Sequence, residues 1–250
     1  MRPRGATARP TRTPAAVPRG TRRWSLTEAV GRLVSAAGPP NIRRDADPFR
    51  MILWENVAYL VDDERRGEVF EELRRRVGLE PRAILSAPEE ALVGAVRNGG
   101  MRPADRAERL RACAEIALEI GEGALRKAVA GDPALARKLL KRFPGIADPG
   151  ADRILLYNRR LPTLAPDSNV LRVLVRLGFG RPEKDYGRTY RSAAEAVAPE
   201  LPADFGILIR ARETLRRHGQ VLCRRNAPHC DVCPLAARCP ALAAGSFPAF

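Results

Sequence analysis

The 250-residue sequence is poor in aromatic residues and in lysine, and it contains no long hydrophobic run. Apolar residues make up 45% of the chain and aromatic residues only 5%, so a folded core must consist mainly of Ala, Leu and Val. No apolar stretch approaches the ~20 residues that a membrane-spanning helix requires, and no membrane partner is expected. Lysine occurs only at positions 127, 138, 141 and 184, so the basic character of the chain comes from arginine.

The formal net charge of +15 favours a polyanionic partner such as nucleic acid. Abundant Arg together with Ala, Gly and Pro can also result from GC-rich coding. The charge alone therefore does not identify the partner.

Residues 1–23 contain Arg, Pro, Thr and Gly but no acidic residue, and this composition predicts a disordered basic tail. Such a tail is a solvated extension, an electrostatic arm for DNA, or a transit peptide. The four prolines count against the amphipathic helix of a transit peptide.

Helical spacing of apolar residues dominates from Asp47 onward, without a convincing alternating strand pattern, so we predict an all-α fold. Ser25–Glu28 and Ser86–Glu89 match the capping-box pattern of helix N-termini. Asp132, followed by Pro133, is typical of another helix start. Two later helices are predicted over about 186–197 and 203–218.

Four of the five cysteines lie close together near the C-terminus, with the spacing C-x6-C-x2-C-x5-C. They are Cys223, Cys230, Cys233 and Cys239. Two disulfides, a zinc site and an iron–sulfur cluster are all compatible with four thiols in a short loop. The lack of a signal-peptide pattern favours a reducing, intracellular compartment and hence a four-thiolate metal site. The fifth, Cys113, lies on an apolar helix face and is predicted to be buried.

Phe143-Pro-Gly-Ile146 interrupts the helical pattern and predicts a tight turn between two helices. Backbone N–H groups at such a turn can bind a DNA phosphate. Asp167 follows about twenty residues later, directly before an apolar-periodic helix.

This order of hairpin, aspartate and cysteine loop resembles the endonuclease III and MutY family of DNA glycosylases, over about residues 47–239. The resemblance implies a two-domain helix-hairpin-helix DNA glycosylase architecture. A six-helix barrel domain with the hairpin would cover 45–161, and an iron–sulfur cluster domain would combine 24–44 with 162–250. It further implies that the four clustered cysteines hold a [4Fe–4S] cluster rather than zinc.

The resemblance also implies catalytic roles for Asp167 and Glu55. Asp167 would stabilise a cationic sugar, although an N-cap role alone also explains an aspartate there. Glu55 lies in an apolar run, where desolvation is expected to raise its pKa and suit it to proton donation. A solvated position on the edge of the helix is the alternative for Glu55.

Contacts to double-stranded DNA are expected at the hairpin, at two wedge positions and at three arginines. Met101 and Leu60 match the positions from which the family inserts side chains into the duplex, and both could equally be core residues. The full set comprises Pro144, Gly145, Ile146, Ala147, Met101, Leu60, Arg142, Arg224 and Arg225.

Two departures from the family pattern affect the expected chemistry. Ala147 replaces the second glycine of the hairpin, which would strain the turn if a positive φ were needed there. Pro149 stands where bifunctional members carry the lysine nucleophile, so Schiff-base lyase chemistry by that route is excluded.

The sequence therefore predicts a monofunctional base-excision glycosylase that acts as a monomer on duplex DNA. We expect it in the cytoplasm with the nucleoid of a bacterium, or in an organelle or the nucleus of a eukaryote. The alternative is a catalytically inactive DNA- or damage-binding protein of the same fold, which could respond to redox conditions through its cluster.

Overall fold

The computed structural model describes residues 22–42 and 45–248, and in these ranges it is helical without any strand, as predicted. Short 3₁₀ turns lie at Ala198–Glu200, Cys230–Val232 and Ala236–Arg238. The α-helices are α1 (Leu26–Ala37), α2 (Pro48–Asn56), α3 (Asp63–Arg76), α4 (Pro81–Ser86), α5 (Glu89–Val96), α6 (Pro103–Ile120), α7 (Glu122–Ala130), α8 (Pro133–Leu140), α9 (Asp148–Tyr157), α10 (Ser168–Arg176), α11 (Tyr186–Val197), α12 (Phe205–Val221) and α13 (Pro240–Ala243).

Several helix starts follow directly from local side-chain chemistry. At α1, the Ser25 hydroxyl accepts from the Glu28 N–H at 3.2 Å while the Glu28 carboxylate accepts from the Ser25 N–H at 2.8 Å, which confirms the predicted capping box. Asp132 caps α8, as predicted. The predicted box at Ser86 is wrong, because Ser86 ends α4 and Pro88 occupies the N-cap of α5.

The buried side chains form two hydrophobic clusters. The first is built almost entirely from α2 to α9 and includes Phe70, Leu110, Cys113 and Ile154. The second combines α1 with α10, α11 and α12 and includes Trp24. Cys113 is fully buried in the first cluster, as its apolar helix face predicted. The domain limits 45–161 and 162–250 stay a prediction.

Helices α9 and α12 connect the two clusters. The Tyr190 hydroxyl on α11 donates to Asp152 on α9 at 2.5 Å, and Arg137 on α8 pairs with the same carboxylate at 2.7 Å. Helix α12 packs against α1, α9 and α10, and a cleft lies beside it at the junction.

Most of the predicted basic tail, residues 1–21, lies outside the described residues. Arg23 is described, and it pairs with Glu200 at 3.1 Å while its guanidinium stacks on Phe179. None of the helices in the described ranges combines the length and apolar content that crossing a bilayer requires.

Candidate active site

Asp167 caps the N-terminus of α10 with one carboxylate oxygen and binds two arginines with the other. Its Oδ1 accepts from the N–H groups of Asn169 at 2.9 Å and Val170 at 3.1 Å. Its Oδ2 accepts from Arg212 at 3.0 Å and from Arg216. The N-cap role is therefore present, and it is compatible with a catalytic one because it fixes the carboxylate in place.

The two arginines come from one face of α12, and each has a further acidic partner. Arg212 has only 1% of its side chain exposed and also binds Glu213 and, at 3.0 Å, the carbonyl of Ala165. Arg216 pairs with Asp63 at the start of α3. Asp167 is thus part of a charge network that spans both hydrophobic clusters.

This network keeps Asp167 ionised. Burial acts to raise the pKa of the carboxyl, but Arg216 and Arg212, with the Val170 N–H, outweigh burial and hold the pKa below its ordinary value. Four donors address the two oxygens, which have about four lone-pair sites between them. In this arrangement Asp167 is a fixed negative charge without a spare acceptor site for a water molecule.

Glu55 lies near the end of α2, and its carboxylate binds Arg153 of α9. Burial acts to raise the pKa of Glu55, but Arg153 and Arg66, followed by Arg212 and Arg216, hold it below the ordinary value. The expected raised pKa is therefore wrong, because arginines distant in sequence surround the carboxylate. Glu55 is ionised at neutral pH and is not a solvated edge residue.

The cleft at the junction brings these charges together. It has a volume of about 570 Å³, within the range of small-molecule pockets. Asp167 and Glu55 are not among the residues that line it, but each pairs with an arginine that does, Asp167 with Arg216 and Glu55 with Arg153. The residues that line the cleft include Trp54, Asp63, Arg153, Tyr157, Glu213, Arg216 and Arg217.

The predicted hairpin joins α8 to α9. Gly145 has φ +76°, and a side chain at this position would meet the Asn56 amide oxygen at 2.5 Å. Asn56 in turn donates to the Pro144 carbonyl at 2.9 Å, which ties the turn to α2. Ile146 is buried beneath the turn.

The two departures in this hairpin are accommodated without strain. Ala147 is extended at φ −97°, so the position does not need glycine, and the backbone strain expected from a positive φ is absent. Pro149 lies in the first turn of α9, where a backbone N–H has no intrahelical acceptor. The chain therefore keeps the hairpin while lacking both the glycine and the lysine.

The two predicted wedge residues project from neighbouring loops and are not core residues. Leu60 is 78% exposed and Met101 is 66% exposed. The Tyr59 N–H donates to the Gly99 carbonyl at 2.8 Å, which joins the loops. Buried Arg106 holds the second loop from below by donating to the carbonyls of Gly100 and Met101.

The three predicted phosphate-contact arginines are at the surface, but they differ in their surroundings. Arg142 pairs with Glu119 at 2.7 Å. Arg224 and Arg225 are exposed in the cysteine loop. Their backbone carbonyls accept from the buried Arg176 at 2.7 and 3.1 Å.

The four cysteines of the C-terminal loop line one small cavity together with Arg176 and His218. All four are free thiols, so the disulfide alternative is not what the structure contains. Burial, together with the neighbouring cysteines, raises the pKa of Cys230, Cys233 and Cys239, that of Cys233 to about 12. Four cysteine sulfurs around one apolar cavity fit a cationic metal centre, which would stabilise their thiolate forms.

Among residues 22–42 and 45–248, no three His, Cys, Asp or Glu side chains converge as ligands of a single metal ion. A four-iron cluster makes a different demand, because each cysteine binds a different iron and the sulfurs need not meet at one point. The shared cavity is compatible with that demand.

Sequence reasoning missed the arginines that organise the site. Arg212 and Arg216 are spaced i, i+4 on the face of α12 that also buries Ala211 and Leu215. Arg172 and Arg176 repeat this spacing on α10 and bind the backbone of the cysteine loop. Arginine pairs within an otherwise apolar helix face were the available signal.

The fold and these features define a class of DNA-repair protein. The family model of HhH-GPD superfamily base excision DNA repair proteins matches residues 61–199, more than half of the chain. The chain belongs to this superfamily, and within it the chain is endonuclease III-like.

Individual relatives cover nearly the whole chain. Endonuclease III of Thermotoga maritima is 26% identical over 214 residues, which is 86% of this chain and 92% of the relative. A thymine/uracil-DNA glycosylase of Pyrobaculum aerophilum is 25% identical over 233 residues, covering 88% and 92%.

Two solved structures share the fold. A trapped endonuclease III–DNA covalent intermediate superposes with a TM-score of 0.65 at 18% identity, covering 86% of this chain and 93% of the other. A thermostable thymine-DNA glycosylase also gives 0.65, at 14% identity and with 88% and 97% coverage. These results confirm the all-α helix-hairpin-helix glycosylase architecture predicted from the sequence.

Proposed function

We propose that this protein is a monofunctional DNA glycosylase, which hydrolyses the N-glycosidic bond of a damaged or mismatched base in double-stranded DNA. The observation that carries the proposal is the ionised Asp167 carboxylate, fixed at a helix N-terminus beside the inter-cluster cleft. Thymine/uracil-DNA glycosylase and endonuclease III among its relatives support the reaction class.

The chemistry needs a fixed anion more than it needs an acid. As the bond between the base and C1′ breaks, the base leaves with the bonding electrons and the sugar becomes oxocarbenium-like. Asp167 would stabilise this cation without reorganisation, because four donors already hold it. Water adds to C1′ and loses a proton to the ionised Glu55, the proposed acceptor, while the departed base anion takes a proton from the solvent.

The surrounding features are proposed to bind the duplex. The N–H groups of the hairpin around Pro144, Gly145, Ile146 and Ala147 would hold a phosphate, with Arg142, Arg224 and Arg225 as further contacts. Leu60 and Met101 would fill the gap that the extruded base leaves. We further propose that the protein acts as a monomer at the nucleoid.

A [4Fe–4S] cluster held by Cys223, Cys230, Cys233 and Cys239 is proposed as a structural group. When bound, it supplies a fixed anchor for the loop and no open ligand position for the reaction. The chain's own contribution is the pair Arg172 and Arg176, which bind the loop carbonyls from α10.

The lack of lyase chemistry is proposed from position 149. A lyase of this family type attacks C1′ with a lysine amine, and proline has no amine to form the imine. We expect base release from the natural enzyme without strand cleavage until alkali is added. Borohydride should trap no covalent protein–DNA complex, whereas trapping would contradict the monofunctional assignment.

The decisive experiment screens lesion-bearing and mismatched duplexes for released base, with Asp167→Asn as the test variant. Asn can still cap α10, and Arg212 and Arg216 keep Glu213 and Asp63 as partners, so the variant should fold. We expect release to fall by about 10²–10³-fold or more, the usual scale for a transition-state electrostatic contact.

Asp204→Asn is a matched control, because Asp204 caps α12 through the Ile207 N–H but lies on the surface. It should retain full activity. Unchanged base release by the Asp167 variant would exclude the proposed mechanism.

An inactive DNA-binding protein is the second candidate, and the occupancy of every acceptor site on Asp167 favours it. Salt-dependent binding of damaged duplexes without base release from any of them would support this alternative.

A further inference from the structure

Arg216 connects two carboxylates that belong to different parts of the fold. Its Nε donates to Asp63 Oδ2 at 2.8 Å and its Nη2 donates to Asp63 Oδ1 at 2.5 Å, which is a two-pronged pair. The remaining Nη1 donates to Asp167 Oδ2. Asp63 is the first residue of α3 in the first cluster, whereas Asp167 is the N-cap of α10 in the second.

A guanidinium is planar, so a carboxylate bound to its Nε and Nη2 edge fixes the directions of the remaining N–H groups on Nη1. The bidentate pair with Asp63 therefore determines where Nη1 lies, and Nη1 is one of the two guanidinium donors that hold Asp167 Oδ2. Lysine has a single ammonium and cannot hold two carboxylates in a fixed plane.

Arg212, the other partner of Asp167, has a different position. It is almost fully buried and binds Ala165 and Glu213 as well, so it belongs to the interior of the fold. Arg216 retains 13% exposure and lines the cleft. It is the arginine through which the cleft and the Asp167 carboxylate are in contact.

We propose that Arg216 is a positioning residue, which uses the Asp63 pair to hold the Asp167 carboxylate in its reactive orientation across the cleft. The inference rests on the proposed glycosylase function and deepens it, because it assigns a role in that reaction to two residues outside the hairpin and the cysteine loop. Arg216 acts through Asp167 and not through the DNA.

The adjacent Arg217 is a matched control. It lines the same cleft, but its guanidinium donates to the carbonyls of Gly38 at 2.5 Å and Pro39 at 3.1 Å. Arg217→Gln removes the same charge from the same wall without altering the donors to Asp167.

The test measures single-turnover base release and duplex affinity for R216Q, R216K, D63N and R217Q. We expect R216Q to lose about 10²-fold in the rate of release, the scale for a small misplacement of a reacting group, with less than about a threefold change in Kd. R216K and D63N should lose about tenfold, and R217Q should remain within about threefold of the parent enzyme.

The pH profile gives a second readout that a merely structural role would not change. Arg216 lowers the pKa of Asp167 against the raising effect of burial, so its removal must raise that pKa. The acidic limb of the release rate should therefore move to higher pH in R216Q but stay in place in R217Q, and it should not move to higher pH in D63N, which keeps Arg216 and loses a neighbouring negative charge.

Parent-like rates in both R216Q and D63N, together with an unmoved pH profile in R216Q, would overturn the proposal. Equal losses in R216Q and R217Q would also overturn it, because they would indicate a general charge effect. If the parent enzyme releases no base from any duplex, the proposed function fails, and a double-mutant cycle in urea then tests the contact alone. Coupling of about tenfold in the unfolding equilibrium between D167N and R216Q, but none with R217Q, is expected, and additivity would refute the positioning role.

Discussion

Asp167 and Glu55 are each held by arginines that come from other helices. Both carboxyl groups have a lowered pKa, since Arg216 and Arg212 outweigh burial at Asp167 and Arg153 with Arg66 outweighs it at Glu55. Neither group can donate a proton near neutral pH. Their chemistry is that of two fixed negative charges, which suits the stabilisation of a cationic sugar and the removal of a proton from water.

The exposed positions of Met101 and Leu60 predict a role that appears only on duplex DNA. Met101→Ala and Leu60→Ala should each change the free energy of unfolding by no more than about 0.5 kcal/mol, because neither side chain is buried. Each should slow base release from a duplex by about tenfold, since the gap left by the extruded base is then unfilled. Parallel single-turnover assays on duplex and single-stranded substrates provide the measurement.

Leu135→Ala is the control, because Leu135 is an equally exposed apolar residue on α8. It should leave both rates unchanged. A loss of similar size on single-stranded DNA would contradict the wedge assignment.

The structural role of a residue could be predicted from the sequence where it depends on a local pattern. The buried Cys113 and the N-cap at Asp167 follow from neighbours within four residues. The ionisation of Glu55 could not be predicted, because its partner Arg153 is 98 residues away. Arg216 likewise reaches Asp63 across 153 residues.

At the scale of the elements, the hairpin between α8 and α9 depends on one glycine and not on two. Gly145→Ala should destabilise the protein, because φ +76° costs a non-glycine residue about 1–2 kcal/mol and the new methyl group would collide with Asn56. Urea unfolding gives the difference in free energy, and DNA affinity should fall with it, because the turn proposed to bind a phosphate is displaced.

The comparison variant is Ala147→Gly, which restores the glycine of the family pattern. Ala147 is extended and forms the N-cap of α9, where the preference for glycine over alanine offsets the entropic cost of glycine, so the exchange should change the free energy of unfolding by less than about 1 kcal/mol. A gain well above about 1 kcal/mol would contradict the extended backbone at position 147.

Helix boundaries were predictable where a capping residue and an apolar periodicity coincide. The start of α1 at Ser25 and that of α8 at Asp132 illustrate this. The short helix α4 was not predicted, because its six residues are too few to show a helical periodicity of apolar side chains. The predicted capping box placed Ser86 at the N-cap of α5, whereas Pro88 occupies that position.

For the whole molecule, the net charge of +15 overstates the charge available to DNA. Among residues 22–42 and 45–248, five arginines are buried and bind backbone carbonyls or carboxylates within the protein. They are Arg106, Arg153, Arg172, Arg176 and Arg212. Much of the arginine content therefore organises the interior, a use that composition alone could not distinguish from phosphate binding.

The proposed cluster predicts a spectroscopic and compositional result for the intact protein. Anaerobically purified protein should absorb near 400 nm and contain about four irons per chain, with no zinc. Cys230→Ser should lose both and bind duplex DNA more weakly, because the loop that carries Arg224 and Arg225 loses its anchor.

Cys113→Ala is the control, since Cys113 lies in the other hydrophobic cluster. It should keep the full iron content. Stoichiometric zinc in the purified protein would replace the cluster assignment with a tetrahedral site.

The hydrogen bond between the Tyr59 N–H and the Gly99 carbonyl joins the loop that carries Leu60 to the loop that carries Met101. Arg106 also donates to the Gly100 carbonyl in the Met101 loop, so we expect the two joined loops to change shape little when a substrate binds. The distortion that opens the duplex is then expected in the DNA, which would bend around the Leu60 and Met101 side chains. Sites where base stacking is already weakened would yield first, so part of the enzyme's selectivity would lie in the pliability of the DNA itself.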